Sequence, residues 1–277
     1  MFRDEFRLSH FKLWHPHQKD FTDSRWFSLP LFIAIRAIIL AYNFGWLIYN
    51  IYKSGAKLFI FLTNWTFTIL NLYFILATTL SCIALYKDRK GHSQTEPDHG
   101  NNKDTVVEVE MGAEGNGSTS DENSNEQDAL NWKHKLLWVL HIVAASGGLF
   151  VTAGYWTILV GDDVIDANNI TKHALNSVFM VIDTAISSMP VHLVHWLYAL
   201  LYFAVYLIFS VIYWQAGGTN IRGEPFIYGA LNYNDFQPTI GGLLVVFLLI
   251  VLPFLHLFFF GITKLRDHVH KKNKAAY

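Results

Sequence analysis

Five long apolar runs decide what this chain can fold into. Leu29–Ile51, Leu58–Tyr86, Leu136–Val160, Leu193–Trp214 and Ile240–Ile262 are each long enough to cross a bilayer, which takes roughly 20 mostly apolar residues. A sixth and weaker run occupies Ala174–Met189. Hydrophobic residues make up 52% of the 277 residues and come in blocks with few charges, unlike the short periodic patches of a soluble core. In hydrocarbon a helix satisfies its own backbone, and these blocks exceed the length of barrel strands. The expected fold is therefore all-α, a polytopic six-helix transmembrane bundle. Trp26, Trp46, Tyr49, Trp65, Tyr86, Trp132, Trp156 and Trp214 crowd the block ends, where amphipathic rings favour the interface.

The blocks divide the chain into an N-terminal arm (1–28), spans 1–2 (29–86), an acidic loop (87–133), spans 3–6 (134–263) and a basic tail (264–277). The arm carries aromatic residues among mixed charges and reads as cytosolic, lying along the membrane surface. No apolar stretch with a cleavage site follows its charged start, so the first span is expected to serve as the insertion signal. The loop holds Glu108, Glu110, Glu114, Asp121, Glu122 and Glu126 with many Gly, Ser and Asn. It lacks the apolar surface that would offset its ordering entropy and reads as disordered. Lys and Arg near the span ends favour both termini in the cytosol: Lys87, Arg89, Lys90, Lys133, Lys135 and the tail fall on one side, and only Lys53, Lys57, Lys172 and Arg222 on the other. The sequon Asn169-Ile170-Thr171 then faces outward as a candidate glycosylation site. The lone cysteine, Cys82, excludes a disulfide within the chain and reads as buried and inert, with palmitoylation as the alternative.

The weakest run carries the polar chemistry. Asn176, Ser177, Asp183 and Thr184 lie within it, so it has to pack inside the bundle or line a cavity. His173, Asn176 and Ser177 share one helix face. Arg36 in the first span either snorkels to the headgroups or pairs with Asp183. With six spans, Thr63 and His173 fall at similar depth on the outer side. A hydroxyl and an imidazole so placed can act as nucleophile and base, with Asn176, Ser177, Asp183 and Arg36 as a supporting pocket. The competing reading is a Thr bonded to its own helix and a solvated His. His141 and His256 are expected to hydrogen-bond within the bundle. His192 and His195 have a spacing that can hold a metal, but no carboxylate or Cys stands beside them in the sequence, so no metal site is assigned. No cofactor and no nucleic-acid motif are expected.

The stretch from His173 through Asp183 to Val191 resembles the rolling stone family of animal membrane proteins. So do Gly217-Gly218-Thr219 and Pro225-Phe226-Ile227-Tyr228 followed by Leu231-Asn232-Tyr233. Gly229 stands where that loop usually has Pro, and Asn232 where it has Asp. The resemblance implies a multi-span membrane protein acting in myoblast or other cell–cell fusion. A more distant similarity joins Phe61-Leu62-Thr63, and His173 with Asp183 ten positions on, to the androgen-induced-gene and androgen-dependent tissue-factor-regulator proteins. These are threonine hydrolases that cleave fatty acid esters of hydroxy fatty acids. That similarity implies Thr63 as nucleophile and His173 as base. The partners expected are the lipid bilayer, a lipid ester substrate, and cell-surface or cytosolic proteins. The expected location is the plasma membrane, with the endoplasmic reticulum as the alternative.

Overall fold

A computed structural model describes residue 5 and residues 8–95, 130–161, 165–235 and 237–275. The acidic stretch 96–129 expected to be disordered lies outside the described residues. The fold is all-α, and no strand occurs among the described residues.

Among the described residues six long helices build it: α1 (Leu29–Ser54), α2 (Leu62–Thr95), α3 (Trp132–Leu159), α4 (167–186), α5 (Trp196–Gln215) and α6 (Pro238–Ala275). The segments containing α1, α2, α3, α5 and α6 are long and apolar enough to cross a membrane. The sixth, α4, is the polar one. Local signals set their ends. Pro30 stands in the first turn of α1, and Gly55 terminates it at φ +57°, a conformation that favours glycine. Asn131 caps α3 by accepting from the Lys133 and His134 amides at 3.0 and 3.2 Å. Asp166 caps α4 by accepting from the Asn169 amide at 2.7 Å. Apolar run length underestimates α2 and α6. The first runs on to Thr95 and the second to Ala275, because a helix that has left the membrane continues on polar residues with good helix propensity.

α3 is the central helix. In its most apolar window 61% is buried, against 22–39% for the other four spans. Small residues permit this closeness. A Cβ on Gly148 would lie 3.2 Å from the Asn176 side chain of α4, and one on Gly147 would meet Thr66 and the Tyr202 and Phe203 rings.

Arg36 does not snorkel. It is fully buried and holds Asp183 of α4 through two bonds, Nε to Oδ1 at 2.7 Å and Nη2 to Oδ2 at 3.1 Å. Its remaining donors reach Tyr73 and Ser81 of α2 at 3.2 and 3.3 Å, and its guanidinium lies 4.0 Å over the Phe32 ring. Tyr73 also donates to Asp183. One ion pair therefore joins α1, α2 and α4.

The N-terminal arm packs against one end of the bundle, here the arm end. Phe21 is completely buried, edge-on to Trp138 at 5.1 Å. Ser24 donates to the Ile186 carbonyl at 2.6 Å, the Ser188 amide donates to Asp23 O at 2.9 Å, and Ser81 donates to Thr22 O at 2.9 Å. Histidines complete this end: His141 bonds Thr184, and His256 bridges Ser146 and the His192 carbonyl. Cys82, expected to be buried, is exposed because it lies on the outward face of α2.

Asp183→Asn is expected to leave Arg36 buried without a counter-ion and to lower unfolding stability by about 3–5 kcal/mol. The double change Arg36→Met with Asp183→Leu is expected to recover most of that loss. Denaturant unfolding of the purified protein in detergent checks both, and an Asp183→Asn protein of wild-type stability contradicts the ion pair.

Candidate functional site

At the distal end, opposite the arm, three parts of the chain meet: the short 3₁₀ turn Gly55–Ile60, the facing ends of α3 and α4, and the loop residues 216–235. The long loop is built locally. Gly217 and Gly223 have φ of +75° and +81°, and Asn220 ties the intervening turn by accepting from the Arg222 and Glu224 amides at 2.9 and 3.0 Å. A Cβ on Gly218 would overlap the Tyr213 ring at 2.4 Å, so only glycine permits that approach. The loop folds back over α2 and brings the Tyr228 hydroxyl to the Leu62 amide, from which it accepts at 3.1 Å.

Two cavities share a wall here. One, about 350 Å³, is lined mainly by apolar side chains of α3, α5 and α6, including Phe150, Phe203, Leu207, Leu244 and Phe247. The other, about 560 Å³, is polar and open; Lys57, Asn64, Lys172, His173, Arg222 and Glu224 line it. Thr63, Tyr155, Leu159 and Tyr228 border both. Thr63 thus sits at the seam between an oily chamber and a polar one.

Thr63 and His173, selected by depth and by resemblance, face the same polar cavity. No hydrogen bond joins them among the described residues. Their surroundings differ from the bland alternatives. Thr66, Thr68 and Thr79 donate to the carbonyl four residues back; no such bond from Thr63 occurs among the described residues, and Thr63 and Tyr228 border the same two cavities. Desolvation raises the Tyr228 phenol above its ordinary pKa, so this hydroxyl is neutral at physiological pH. His173 is buried, not solvated, and its Nδ1 has no hydrogen-bond partner. The imidazole is held from outside. Tyr155 stacks on it at 3.6 Å and 10°, and Trp156 Nε1 donates to the His173 carbonyl at 2.9 Å.

The expected supporting pocket is not assembled at this site. Asn176 and Ser177 line neither cavity. Ser177 bonds Thr152 of α3 at 2.6 Å and donates to Asn176 Oδ1 at 3.1 Å, and Asn176 Nδ2 donates to Lys172 O, so their polar groups serve α3–α4 packing. Asp183 lies ten residues along α4 from His173, about 15 Å at 1.5 Å per residue, and with Arg36 belongs to the buried ion pair at the other end. Two residues to which the sequence gives no site role, Tyr155 and Tyr228, border both cavities. Tyr228 belongs to the quoted loop motif, so its signal was present without an assigned contact. Tyr155 had none, because its role comes from a π turn. Such wide turns occur at Tyr155–Leu159, Thr171–Leu175 and Phe247–Val251, which border the cavities, and at Val143–Gly147, which does not. π turns are frequent at functional sites because they displace side chains from regular helical positions.

Asn169, the candidate glycan acceptor, is half-buried and lines the polar cavity, and its amide donates to the Tyr155 hydroxyl at 2.5 Å.

Fold and site together define a polytopic helical membrane protein with a split amphiphilic cavity at one end of the bundle. The family model described as protein rolling stone matches residues 116–276, more than half of the chain. The chain belongs to the rolling stone family. It is similar to the protein rolling stone of Drosophila melanogaster, with 29% identity over 136 residues. That alignment covers 48% of this chain and 49% of the fly protein, so the chain matches about half the length of this relative. No solved structure matches. The family match includes His173, Asp183 and Tyr228 but not Thr63.

Glycosidase treatment of the protein expressed in animal cells is expected to leave its gel mobility unchanged, since Asn169 is folded into the cavity wall. A mobility shift that Asn169→Gln abolishes would contradict this placement.

Proposed function

We propose that the protein hydrolyses fatty acyl esters at the seam between its two cavities, with Thr63 as nucleophile and His173 as general base. The observation that carries this reading is the position of Thr63, which borders an apolar chamber suited to an acyl chain and a polar chamber suited to a hydrophilic leaving group. The distant similarity to threonine hydrolases points to the same two residues.

His173 accepts the Thr63 proton as Oγ1 attacks the acyl carbon. The tetrahedral intermediate collapses as the imidazolium returns the proton to the departing alcohol oxygen, leaving an acyl-threonine ester. Water, deprotonated by His173, then adds to that ester, and its collapse releases the fatty acid and restores the Thr63 hydroxyl. Tyr155 fixes the ring plane. Tyr228 borders the seam together with Thr63. Catalytic hydrogen bonds tighten around substrate, which would draw the Thr63 hydroxyl and the imidazole together. With both termini in the cytosol, the polar chamber opens on the outer surface, and an ester enters laterally from the bilayer.

A second reading rests on family membership: a plasma-membrane protein acting in cell–cell fusion through its partners. The two readings make different demands on Thr63. In a fusion assay, a scaffold works with Thr63→Ala, whereas an enzyme whose activity drives fusion does not.

Membranes carrying wild type, Thr63→Ala or His173→Ala are to be probed with a lipid-like fluorophosphonate and with a long-chain acyl ester substrate. Labelling and turnover are expected in wild type. Thr63→Ala is expected to lose both, and His173→Ala to lower turnover by about 10²–10⁴-fold. Absence of labelling and turnover in folded wild type, or full turnover in Thr63→Ala, would overturn the hydrolase reading.

A further inference from the structure

We propose that Glu5, His10 and His192 form a site for a divalent transition-metal ion of the zinc type, which fastens the N-terminal arm to the bundle. The site lies at the arm end, away from both cavities, and does not depend on the hydrolase reading. Nothing in the sequence spacing announces it, since two ligands come from the arm and the third from the α4–α5 connection. The folded arm supplies the carboxylate that His192 lacks among its sequence neighbours.

One nitrogen or carboxylate oxygen from each of the three residues lies within 4.8 Å of the other two. Glu5 Oε2 is 3.1 Å from His192 Nδ1, and the His10 and His192 rings lie parallel, 3.9 Å apart with an 18° tilt. Bonds of about 2.0–2.2 Å from a tetrahedral zinc ion place its ligand atoms roughly 3.3–3.5 Å apart. Closing the site therefore needs the arm to move inward and the His10 ring to turn out of its stack on His192, so that both in-plane lone pairs point at one ion. Two imidazoles and one carboxylate are a common zinc donor set that leaves the fourth position open.

The surroundings are those of a held site. Glu5 is 6% exposed, so its charge is removed from water and requires a cation. The His10 carbonyl is bonded to His195 Nε2 at 3.0 Å, and the His192 carbonyl to His256 Nε2 at 2.9 Å. Both ligand backbones are thus pinned by buried side chains, the kind of outer support that orients ligands around metals. At present the cation on Glu5 is Lys264, whose ammonium lies 2.8 Å from Oε1 on a side chain 40% exposed. That lysine is free to swing toward solvent, so it competes with the metal instead of sharing the site.

The competition separates a metal site from a simple ion-pair latch. The purified full-length protein in detergent, stripped with a chelator, is to be dialysed against zinc and its bound metal and thermal midpoint measured. One zinc per chain and a raised midpoint are expected for wild type. Glu5→Gln, His10→Asn and His192→Asn are each expected to weaken binding by about tenfold or more and to abolish the zinc-dependent rise in midpoint. Lys264→Met is expected to bind zinc more tightly than wild type, whereas a latch made only of the ion pair loses stability in that variant and gains no metal. No stoichiometric zinc in wild type, binding indifferent to the three ligand substitutions, or Lys264→Met without tighter binding would overturn the proposal. Because Lys264 is part-exposed, that variant keeps the test decisive where a ligand variant fails to fold.

Discussion

The ion pair between Arg36 and Asp183 is the constraint on which the arrangement of helices depends. An isolated arginine or aspartate in a membrane interior costs several kcal/mol. The two charges have to meet, and α1 and α4 are thereby bound to each other although three connections separate them in the chain. Two-point contact with the carboxylate fixes orientation as well as proximity. Tyr73 and Ser81 add α2 to the same centre, and Phe32 covers the guanidinium. Van der Waals packing among lipid-soluble helices discriminates weakly between partners, because lipid tails are as apolar as the side chains. A charge pair that tolerates no other neighbour supplies the missing specificity, and it explains why the most polar helix of the six lies inside the bundle.

Once α4 is fixed at the arm end, its other end is free to carry chemistry. Tyr42 and Asn50 of α1 bond Thr171 and Asn168 of α4 at 2.9 and 2.8 Å, which sets the distal turn of α4 against α1. The π turn at Thr171–Leu175 then re-aims His173 toward the polar cavity. Gly147 and Gly148 let α3 lie close enough for Tyr155 to stack on that imidazole. Stability and site are thus divided along α4, with the charge pair at one end and the imidazole at the other.

Span number and class were legible because lipid imposes one rule on every segment: long apolar runs with internally bonded backbones. The polar character of α4 and the histidine bonds within the bundle followed from the same rule. Arg36 was less legible. Its distance from the span end fits snorkelling and burial equally, and only the position of α4 chooses between them. The Thr63–His173 side of the cavity could be found from depth alone, since both residues lie near the same ends of their spans. Tyr155 could not, because a helical wheel assumes 3.6 residues per turn and a π turn violates it. Asn176 and Ser177 failed for the complementary reason: sharing a face with His173 in a regular helix ceases to mean sharing a cavity once the turn before them is widened. The contacts of the arm were not legible because aromatic residues suit a membrane surface and a protein core alike: Phe21 is buried in the core, whereas Phe11, Trp14, Trp26 and Phe27 stay exposed.

The division of the distal cavity is informative about the kind of molecule it suits. A water-soluble substrate has no use for a chamber walled by Phe150, Phe203, Leu244 and Phe247, and a simple hydrocarbon has no use for Lys57, Lys172 and Arg222. A molecule occupying both has to be amphiphilic, and its polar–apolar junction falls beside Thr63. In an acyl ester that junction is the carbonyl carbon, the atom a hydroxyl attacks. The loop carrying Tyr228 closes the same seam from above, so the features that place the family's loop motif also place a neutral phenol against the threonine. α3, α4 and α6 widen turns where they border these chambers, and α3 widens one more at Val143–Gly147 within the bundle core. Beside the chambers the widened turns hold side chains away from regular helical positions.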